Sequence, residues 1–210
     1  HLSGAMEAYK DGQKITADIT LSSIPAQSMV ICTPFDKPGH YYFNQKINTM
    51  RASGKVHIGP VTYEFDPGDS FATLDWGRGS WTYQNTGYWS SLNADVHGHV
   101  FGWNLGYGFG DTRAASENML FYDGRVHKLD RVDFAIPQKD GRDRFLEPWQ
   151  ITSNDLRIEM RFEPVLDRAS QTDALLLKSD QHQVFGRFSG TAVLDDGRKI
   201  TLDHAMGFDE

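Results

Sequence analysis

The chain has 210 residues, of which 39% are hydrophobic and 23% charged, a composition typical of globular proteins rather than disordered, collagen-like or coiled-coil chains. Its 28 acidic and 21 basic residues give a formal net charge of −7, and no stretch concentrates Lys and Arg. Nucleic acid is therefore not an expected partner. No apolar run reaches the ~18 residues of a membrane-spanning segment. The sequence predicts a single soluble domain over residues 1–210, and the single cysteine favours a cytoplasmic location.

The two ends of the sequence indicate a fragment. A strand-like alternation begins at Leu2, directly after His1, and another over Lys199 to Leu202 lies close to the last residue. We expect residues 1–210 to be the C-terminal part of a longer chain. The missing N-terminal half, or a second copy, would then cover the edge strands.

Apolar residues recur with period two along most of the sequence, which is typical of half-buried strands. The clearest runs are Ile15 to Leu21, Val56 to Ile58, Leu156 to Phe162, and Val184 onward to Ala192 and Leu194. Asp-Gly pairs predict hairpin turns at Lys10-Asp11-Gly12, Tyr122-Asp123-Gly124-Arg125 and Asp195-Asp196-Gly197-Arg198. Only Thr112 to Met119 could form a helical turn. The sequence therefore predicts an all-β barrel or strongly curved sandwich with little helix.

The single cysteine, Cys32, lies in the apolar run Met29-Val30-Ile31-Cys32. Such a run predicts a buried, unreactive thiol rather than a nucleophile.

Residues 75–81 combine an acid, a base and two indoles around glycines. Asp75 and Arg78 are three apart around Gly77, so a tight turn there would allow a buried ion pair covered by Trp76 and Trp81. Such a pair could pin a corner of the sheet. Alternatively, Arg78 could lie at the mouth of a pocket and hold an anionic or carbonyl group of a ligand.

Glycines alternate with aromatic residues between Trp103 and Asp111. On a strand this pattern puts Gly106, Gly108 and Gly110 on one face, which permits a bend or the close approach of a ligand or another chain segment. The spacing fits neither a dinucleotide fingerprint nor a P-loop.

Two carboxylates and an amide, Asp111, Glu117 and Asn118, follow these glycines. They could act as acid and base or bind a hard cation, and they could equally be solvated turn residues. His97 and His99 flank Gly98 in what reads as a loop rather than a metal site, whereas His182 is typical of a hydrogen-bonded core or rim histidine. The sequence thus predicts no metal and no cofactor.

We expect the aromatic, glycine and side-chain oxygen groups between Asp75 and Asn118 to surround one ligand space. The predicted ligand-binding residues are Trp76, Arg78, Trp81, Trp89, Asn104, Tyr107 and Asn118. Asp75, Asp111 and Glu117 are the candidate general acids or bases, because burial beside indoles raises the pKa of a carboxyl group.

Several motifs occur together in an order that resembles the domain of unknown function 2804 family. They are Leu74-Asp75-Trp76-Gly77-Arg78-Gly79, Asn104 to Asp111, Glu117-Asn118, Asp123 to Leu129, and His182 to Arg187. The resemblance spans nearly all of the chain, implies that these residues are the C-terminal part of longer members, and carries over no catalytic residue. More distantly, the chain is similar to lipocalin-related carotenoid hydratases and tocopherol cyclases. That similarity implies a lipocalin/calycin-like antiparallel barrel, one half of a larger two-barrel protein that encloses apolar ligands.

Three functions remain open at this stage. The first is a module that binds a hydrophobic or amphiphilic small molecule, with Arg78 or Asn104 as its polar contact. The second is a lyase, hydratase or isomerase acting on an apolar substrate through a carboxyl group. The third is a carbohydrate-active enzyme, in which two carboxylates would flank a glycosidic bond.

Overall fold

The computed structural model describes residues 1–174 and 177–210, which form two large antiparallel sheets and one small hairpin. Sheet A contains β1 (Leu2–Met6), β2 (Ile15–Ser22), β3 (Met29–Pro34), β4 (Tyr41–Ile58), β5 (Val61–Phe65) and β6 (Phe71–Ser80). Sheet B contains β7 (Tyr88–Val96), β8 (His99–Tyr107), β9 (Met119–Tyr122), β10 (Arg125–Lys128), β11 (Val132–Ala135), β14 (Trp149–Ser153), β15 (Ile158–Ala174), β16 (Leu177–Val193) and β17 (Lys199–Asp209). The hairpin of β12 (Gln138–Lys139) and β13 (Arg142–Asp143) lies between β11 and β14.

The all-β prediction is confirmed. In the described ranges the only helical element is a 3-10 turn at Lys10–Gly12. The segment from Thr112 to Met119 is not helical: it starts with a turn, in which the Ala114 N–H donates to the Asp111 carbonyl, and ends in the first residue of β9. Within residues 1–174 and 177–210, no helix has the length and apolar character needed to cross a membrane.

The predicted Asp-Gly turns are also present. Asp123 and Gly124 both have positive φ angles, 46° and 78°, and they join β9 to β10 as a two-residue hairpin. Positive φ at both positions is the geometry that matches the twist of an antiparallel pair. His97 and Gly98 connect β7 to β8 in the same way, which explains their loop-like sequence.

Sheet B curls around the main hydrophobic core. Alternate residues of β8 and β15 point into it, and Trp103, Phe162 and Phe188 are fully buried there. The Trp103 Nε1–H donates to the Ser90 hydroxyl at 2.9 Å, so the indole is both packed and hydrogen-bonded. The concave face of the curled sheet is therefore filled by its own side chains.

One carboxyl group is buried beside this core. Asp209, paired across strands with Ser90, has no exposed surface. Neither of its oxygens has a hydrogen-bond partner of ordinary geometry among the described residues. Burial raises the pKa of Asp209 to about 8, and the nearby Ser90 hydroxyl offsets only part of that increase. Asp209 is therefore mainly protonated at neutral pH.

Sheet A is organised by the 18-residue strand β4. The first part of β4 pairs with β3 and β6, and its last part pairs with β2 and β5. The register shifts between Ile47 and Met50, where Thr49 has a φ of 63° and its N–H donates to the Asn93 side chain at 2.8 Å. This bend holds the first part of β4 against β7 and β8 of sheet B.

The two sheets meet through polar side chains. Asn44, Lys46 and Asn48 share one face of β4 and are 0%, 4% and 0% exposed. The Asn48 amide donates to the Ser91 hydroxyl at 3.0 Å and to the Trp103 carbonyl at 2.8 Å. Asn48 is thus hydrogen-bonded across the interface, whereas Asn44 donates to Asp75 within sheet A, and with these partners the layer between the sheets tolerates polarity.

The prediction for Cys32 is wrong, because the side chain is exposed. β3 pairs only with β4 and alternates along its length, with Met29 and Thr33 buried and Val30 exposed. Cys32 falls on the exposed face, so the apolar run is an edge strand and not a fully buried one.

Candidate functional site

A cleft of about 1130 Å³ lies between sheet A and one end of sheet B, where several strands of that sheet begin or end. It is bordered by β4, β6, the loop before β7, the loop before β9, the β12–β13 hairpin and the start of β16. Seven aromatic side chains line it, namely Tyr42, Trp81, Tyr88, Trp89, Phe109, Phe145 and Trp149. A concave site of this size and aromatic content is suited to a small molecule.

A buried lysine lies at one end of the cleft, in what we call the Lys46 cluster (Lys46, Asp75, Glu117 and Trp89). The Lys46 Nζ lies 2.7 Å from Glu117 Oε2 and 3.6 Å from Asp75 Oδ2. It also lies 3.9 Å from the centre of the Trp89 ring, over the indole face. The ammonium is thus compensated by two carboxylates and an aromatic face, as a buried charge requires.

Amides orient both carboxylates of the Lys46 cluster. The Asn104 amide donates to Glu117 Oε2 at 2.9 Å, and Asn104 Oδ1 accepts from the Trp89 indole at 2.7 Å. On the other side, the Asn44 amide donates to Asp75 Oδ1 and to the Tyr42 hydroxyl, each at 2.7 Å. Lys46 and Asp75 are directly opposite each other on β4 and β6. The carboxylates are therefore held by strands and amides rather than by flexible loops alone.

Two glycines make room for these side chains. A Cβ on Gly106 would lie 2.6 Å from Glu117 Oε1 and 2.8 Å from the Tyr88 carbonyl oxygen. A Cβ on Gly77 would lie 2.5 Å from the Tyr42 hydroxyl. The predicted close approach at Gly106 thus occurs, and what approaches is the Glu117 side chain.

Tyr42 is the main hydroxyl donor at this end of the cleft. Burial raises the pKa of Tyr42 to about 12, and the charges of Asp75 and Glu117 add to the increase. Its oxygen accepts a hydrogen bond from Asn44, so the phenolic proton remains available to another group. Tyr42 therefore stays protonated at neutral pH and can donate into the cleft.

Six of the sequence-predicted residues lie at or behind the Lys46 cluster. Asp75, Glu117, Trp81 and Trp89 line the cleft. Asn104 supports Glu117 and Trp89, and Asn118 accepts from the Gly106 N–H at 2.7 Å. The structure thus brings together two of the candidate acids and two of the indoles.

The predicted ion pair between Asp75 and Arg78 is wrong. Residues 71–80 form strand β6 and not a turn, so residues three apart point to opposite faces. Asp75 contacts Lys46, whereas Arg78 is exposed on the other face together with Trp76. Trp76 packs edge-on against Phe43, with ring centres 6.0 Å apart. Neither Trp76 nor Arg78 lines the cleft.

Asp111 and Tyr107 also lie outside the cleft lining. Both oxygens of Asp111 accept from the Arg113 guanidinium, at 2.8 and 3.0 Å, which holds the pKa of Asp111 below its usual value. Tyr107 stacks on Tyr88 with ring centres 4.9 Å apart and packs against Phe134 on its other side. Asp111 is thus a solvated turn residue and Tyr107 supports the wall behind Tyr88.

Sequence reasoning missed Lys46 and Tyr42. The one signal was the period-two series Asn44, Lys46, Asn48, which resembles the solvent face of a strand. In the structure this face is the buried one, because it covers the outer face of β7 and β8. Among the described residues, no group of three or more His, Cys, Asp or Glu side chains is arranged to hold a metal ion.

The family model of a domain of unknown function, DUF2804, matches residues 1–210. The chain belongs to this family. A search of curated proteins finds no match to this DUF2804 chain. The resemblance predicted from the motifs is therefore confirmed at the level of the family.

Two solved structures are similar to this DUF2804 chain in fold. Kievitone hydratase from Nectria haematococca matches with a TM-score of 0.53 and 10% identity, over 99% of this chain and 63% of that one. An AttH-type protein from Nitrosomonas europaea matches with a TM-score of 0.50 and 13% identity, over 96% and 65%. The chain spans less than two thirds of either protein. The predicted lipocalin-like fold and the distant similarity to hydratases are confirmed, and at these identities the likeness concerns the fold alone.

Proposed function

We propose that the chain binds an uncharged amphiphilic small molecule in the cleft, with a hydroxyl group of the ligand at the Lys46 cluster. The observation that carries this proposal is a lysine that is only 4% exposed, placed between two carboxylates at the end of an aromatic cleft. A cluster of this kind costs desolvation energy, which its ion pairs have to offset.

The charges at the cluster favour a ligand that donates hydrogen bonds. One ammonium faces two carboxylates, so the Lys46 cluster carries a net negative charge. Asp75 and Glu117 both line the cleft, so their carboxylate oxygens are the acceptors that a ligand can reach there. A hydroxyl group can satisfy such acceptors, whereas a carboxylate or phosphate would be repelled.

The aromatic rings favour an apolar body for the ligand. Trp81 packs edge-on against Tyr42, and Phe109 contacts both rings, so three aromatic side chains form one wall beside the cluster. A flat aromatic or isoprenoid group can cover this wall and bury apolar surface at roughly 25 cal/mol per Å².

Binding can be tested with retinol and 4-hydroxystilbene, each compared with its methyl ether, by quenching of tryptophan fluorescence. We expect each alcohol to bind about three- to tenfold more tightly than its ether, because only the alcohol donates a hydrogen bond. Asp75→Asn should reduce this difference, because an amide oxygen is a weaker acceptor than a carboxylate oxygen, and Asp203→Asn, which changes an exposed carboxylate, should preserve it. Equal affinity of alcohols and ethers for the native protein would contradict the proposal, as would the absence of any binding.

A second candidate is an enzyme that adds water to, or eliminates it from, an apolar substrate. It is favoured by geometry, since the Asn44 amide holds both the Tyr42 hydroxyl and Asp75, so that a hydroxyl and carboxylates share one end of the cleft. In a hydration, one carbon of a double bond would receive a proton from an acid and the other the oxygen of water, which returns a proton to the site. The hydratase among the structural neighbours is consistent with this chemistry.

Incubation of the protein with hydroxylated and unsaturated isoprenoids, followed by mass spectrometry, tests this second candidate. Enzymatic activity would appear as the gain or loss of one water and should fall at least tenfold in Tyr42→Phe.

The carbohydrate-active alternative is disfavoured, because the Lys46 ammonium occupies the space between the two carboxylates in which a glycosidic bond would have to lie.

A further inference from the structure

The end of the cleft formed by β14, β16 and the β13–β14 loop carries a second polar group, which we call the His182 cluster (His182, Asp167, Phe145 and Trp149). The His182 Nδ1 lies 2.7 Å from Asp167 Oδ2, and the imidazole stacks on the Phe145 ring with centres 4.0 Å apart. Phe145 also contacts the Trp149 ring at 6.1 Å. His182, Phe145 and Trp149 line the same cleft as Lys46.

The carboxylate of Asp167 determines which ring nitrogen of His182 is free. A carboxylate accepts the Nδ1 proton, so the neutral imidazole presents the lone pair of Nε2. The Asp180 carboxylate lies 3.7 Å from Nε2, too far for a hydrogen bond. In this neutral tautomer, Nε2 is an acceptor that another donor can use.

Trp149 provides an independent sign of an incomplete hydrogen-bond network at this end. Trp149 is 2% exposed, and its indole N–H has no acceptor among the described residues. An unpaired buried N–H costs free energy comparable to a lost hydrogen bond. A hydroxyl group is suited to such a place, because it can accept from the indole and donate to an imidazole.

His99 shows that the His–Asp pairing alone does not define the site. Its Nδ1 also lies 2.7 Å from a carboxylate oxygen, that of Asp123, and its ring stacks on Tyr122. His99 is half exposed and outside the cleft lining. What distinguishes His182 is its position in the cleft beside an unpaired indole N–H.

We propose that the His182 cluster is a second hydroxyl-binding subsite, so that the ligand is an elongated, uncharged molecule with a hydroxyl group near each end. This inference rests on the proposed function, because it takes the Lys46 cluster as the first subsite. The ligand donates one hydroxyl proton to the Lys46 cluster and the other to His182 Nε2, and its apolar body lies along the aromatic rings between them. Asp143, Asp180 and Glu210 also line the cleft and outnumber its further cation, Arg142, which discourages an anionic group.

Rigid bisphenols of increasing length test the second subsite. The probes are 4,4′-dihydroxybiphenyl, 4,4′-dihydroxystilbene and 1,4-bis(4-hydroxyphenyl)butadiene, each compared with its monohydroxy analogue by tryptophan quenching. For at least one length we expect the second hydroxyl to tighten binding about three- to tenfold. His182→Phe should remove this gain, His182→Gln should retain part of it through the amide oxygen, and the matched surface variant His99→Phe should leave it unchanged.

The ratio of the two affinities separates the second subsite from general effects on folding, since a damaged fold weakens both ligands alike. If the monohydroxy probes bind but the second hydroxyl gives no gain at any length, the second subsite is refuted and the proposed function stands. A gain that persists in His182→Phe would also refute it. If no probe binds at all, both proposals fail.

Discussion

Replacing Lys46 by methionine tests whether the Lys46 cluster is held together by charge. Methionine keeps the length and apolar stem of lysine but removes the ammonium, so Glu117 and Asp75 would face each other without compensation. The Glu117 side chain is 15% exposed and that of Asp75 is 34% exposed. Glu117 should therefore dominate the effect, because solvent screens Asp75 more strongly.

The expected loss can be estimated from these contacts. Removing one partner of a buried ion pair costs about 3–5 kcal/mol, and the lost contact with the Trp89 ring adds up to about 1 kcal/mol. Part of this loss of stability is offset, because burying a methionine side chain costs less free energy than burying an ammonium. For a chain of this size, 1 kcal/mol changes the Tm by roughly 2–4 °C. We thus expect the Tm of Lys46→Met to fall by about 10 °C.

Thermal and urea unfolding of a double-mutant cycle can isolate the ion pair. Glu117→Gln keeps a group that can accept from Asn104 but removes one negative charge, so Lys46→Met/Glu117→Gln should be more stable than Lys46→Met alone. Lys55→Met is the matched control, because Lys55 pairs with Glu64 on the exposed part of β4 and should show an unchanged Tm. Equal stabilities of native protein and Lys46→Met would refute the assignment of a buried, charge-compensated cluster.

Three further predictions concern other parts of the structure. Asp209 has a pKa of about 8 in the folded protein and about 4 in the unfolded chain, so the folded state holds an extra proton between these values. Stability should therefore fall as the pH rises from about 4 to about 8. Asp209→Asn should flatten this part of the stability profile, and an unchanged profile would show that the carboxyl is not buried. Gly106→Ala should displace Glu117 and lower both the Tm and the affinity for hydroxylated probes, whereas Gly4→Ala, with open space around it, should change neither. Arg78→Ala should change the Tm by less than about 2 °C, since Arg78 is exposed on β6, and a larger loss in thermal unfolding would show a contact that the structure lacks.

The fold could be predicted largely from local patterns. Period-two alternation located β2 and the start of β15, and Asp-Gly pairs located the turns at Asp123-Gly124 and Asp196-Gly197, because both signals depend on residues close in sequence. The long strand β4 was seen only at its end, over Val56 to Ile58. Its first part alternates polar residues with apolar ones, and no local rule says which face another sheet will cover.

Only part of the candidate site could be predicted, namely the part whose residues lie close together in sequence. Trp89, Asn104 and Glu117 lie within 30 residues of one another and belong to β7, β8 and the following loop, so their proximity follows from one hairpin. Lys46 comes from a different sheet and reaches Glu117 only through long-range packing. Arg78 was misplaced because its glycine neighbours suggested a turn, whereas in β6 Gly77 serves to admit the Tyr42 ring.

The location of the polar groups explains why the cleft and not the curled sheet is the candidate site. The concave face of sheet B is occupied by Trp103, Phe162 and other buried side chains, which leaves it as a structural core. The layer between the sheets instead contains amides, hydroxyls and the Lys46 ammonium, whose hydrogen bonds need defined geometry and therefore fix the two sheets in one arrangement. Where this polar layer reaches the cleft, it presents Lys46, Asp75 and Glu117 to the cavity, so the charged groups that the proposed ligand would meet are the same ones that join the two sheets.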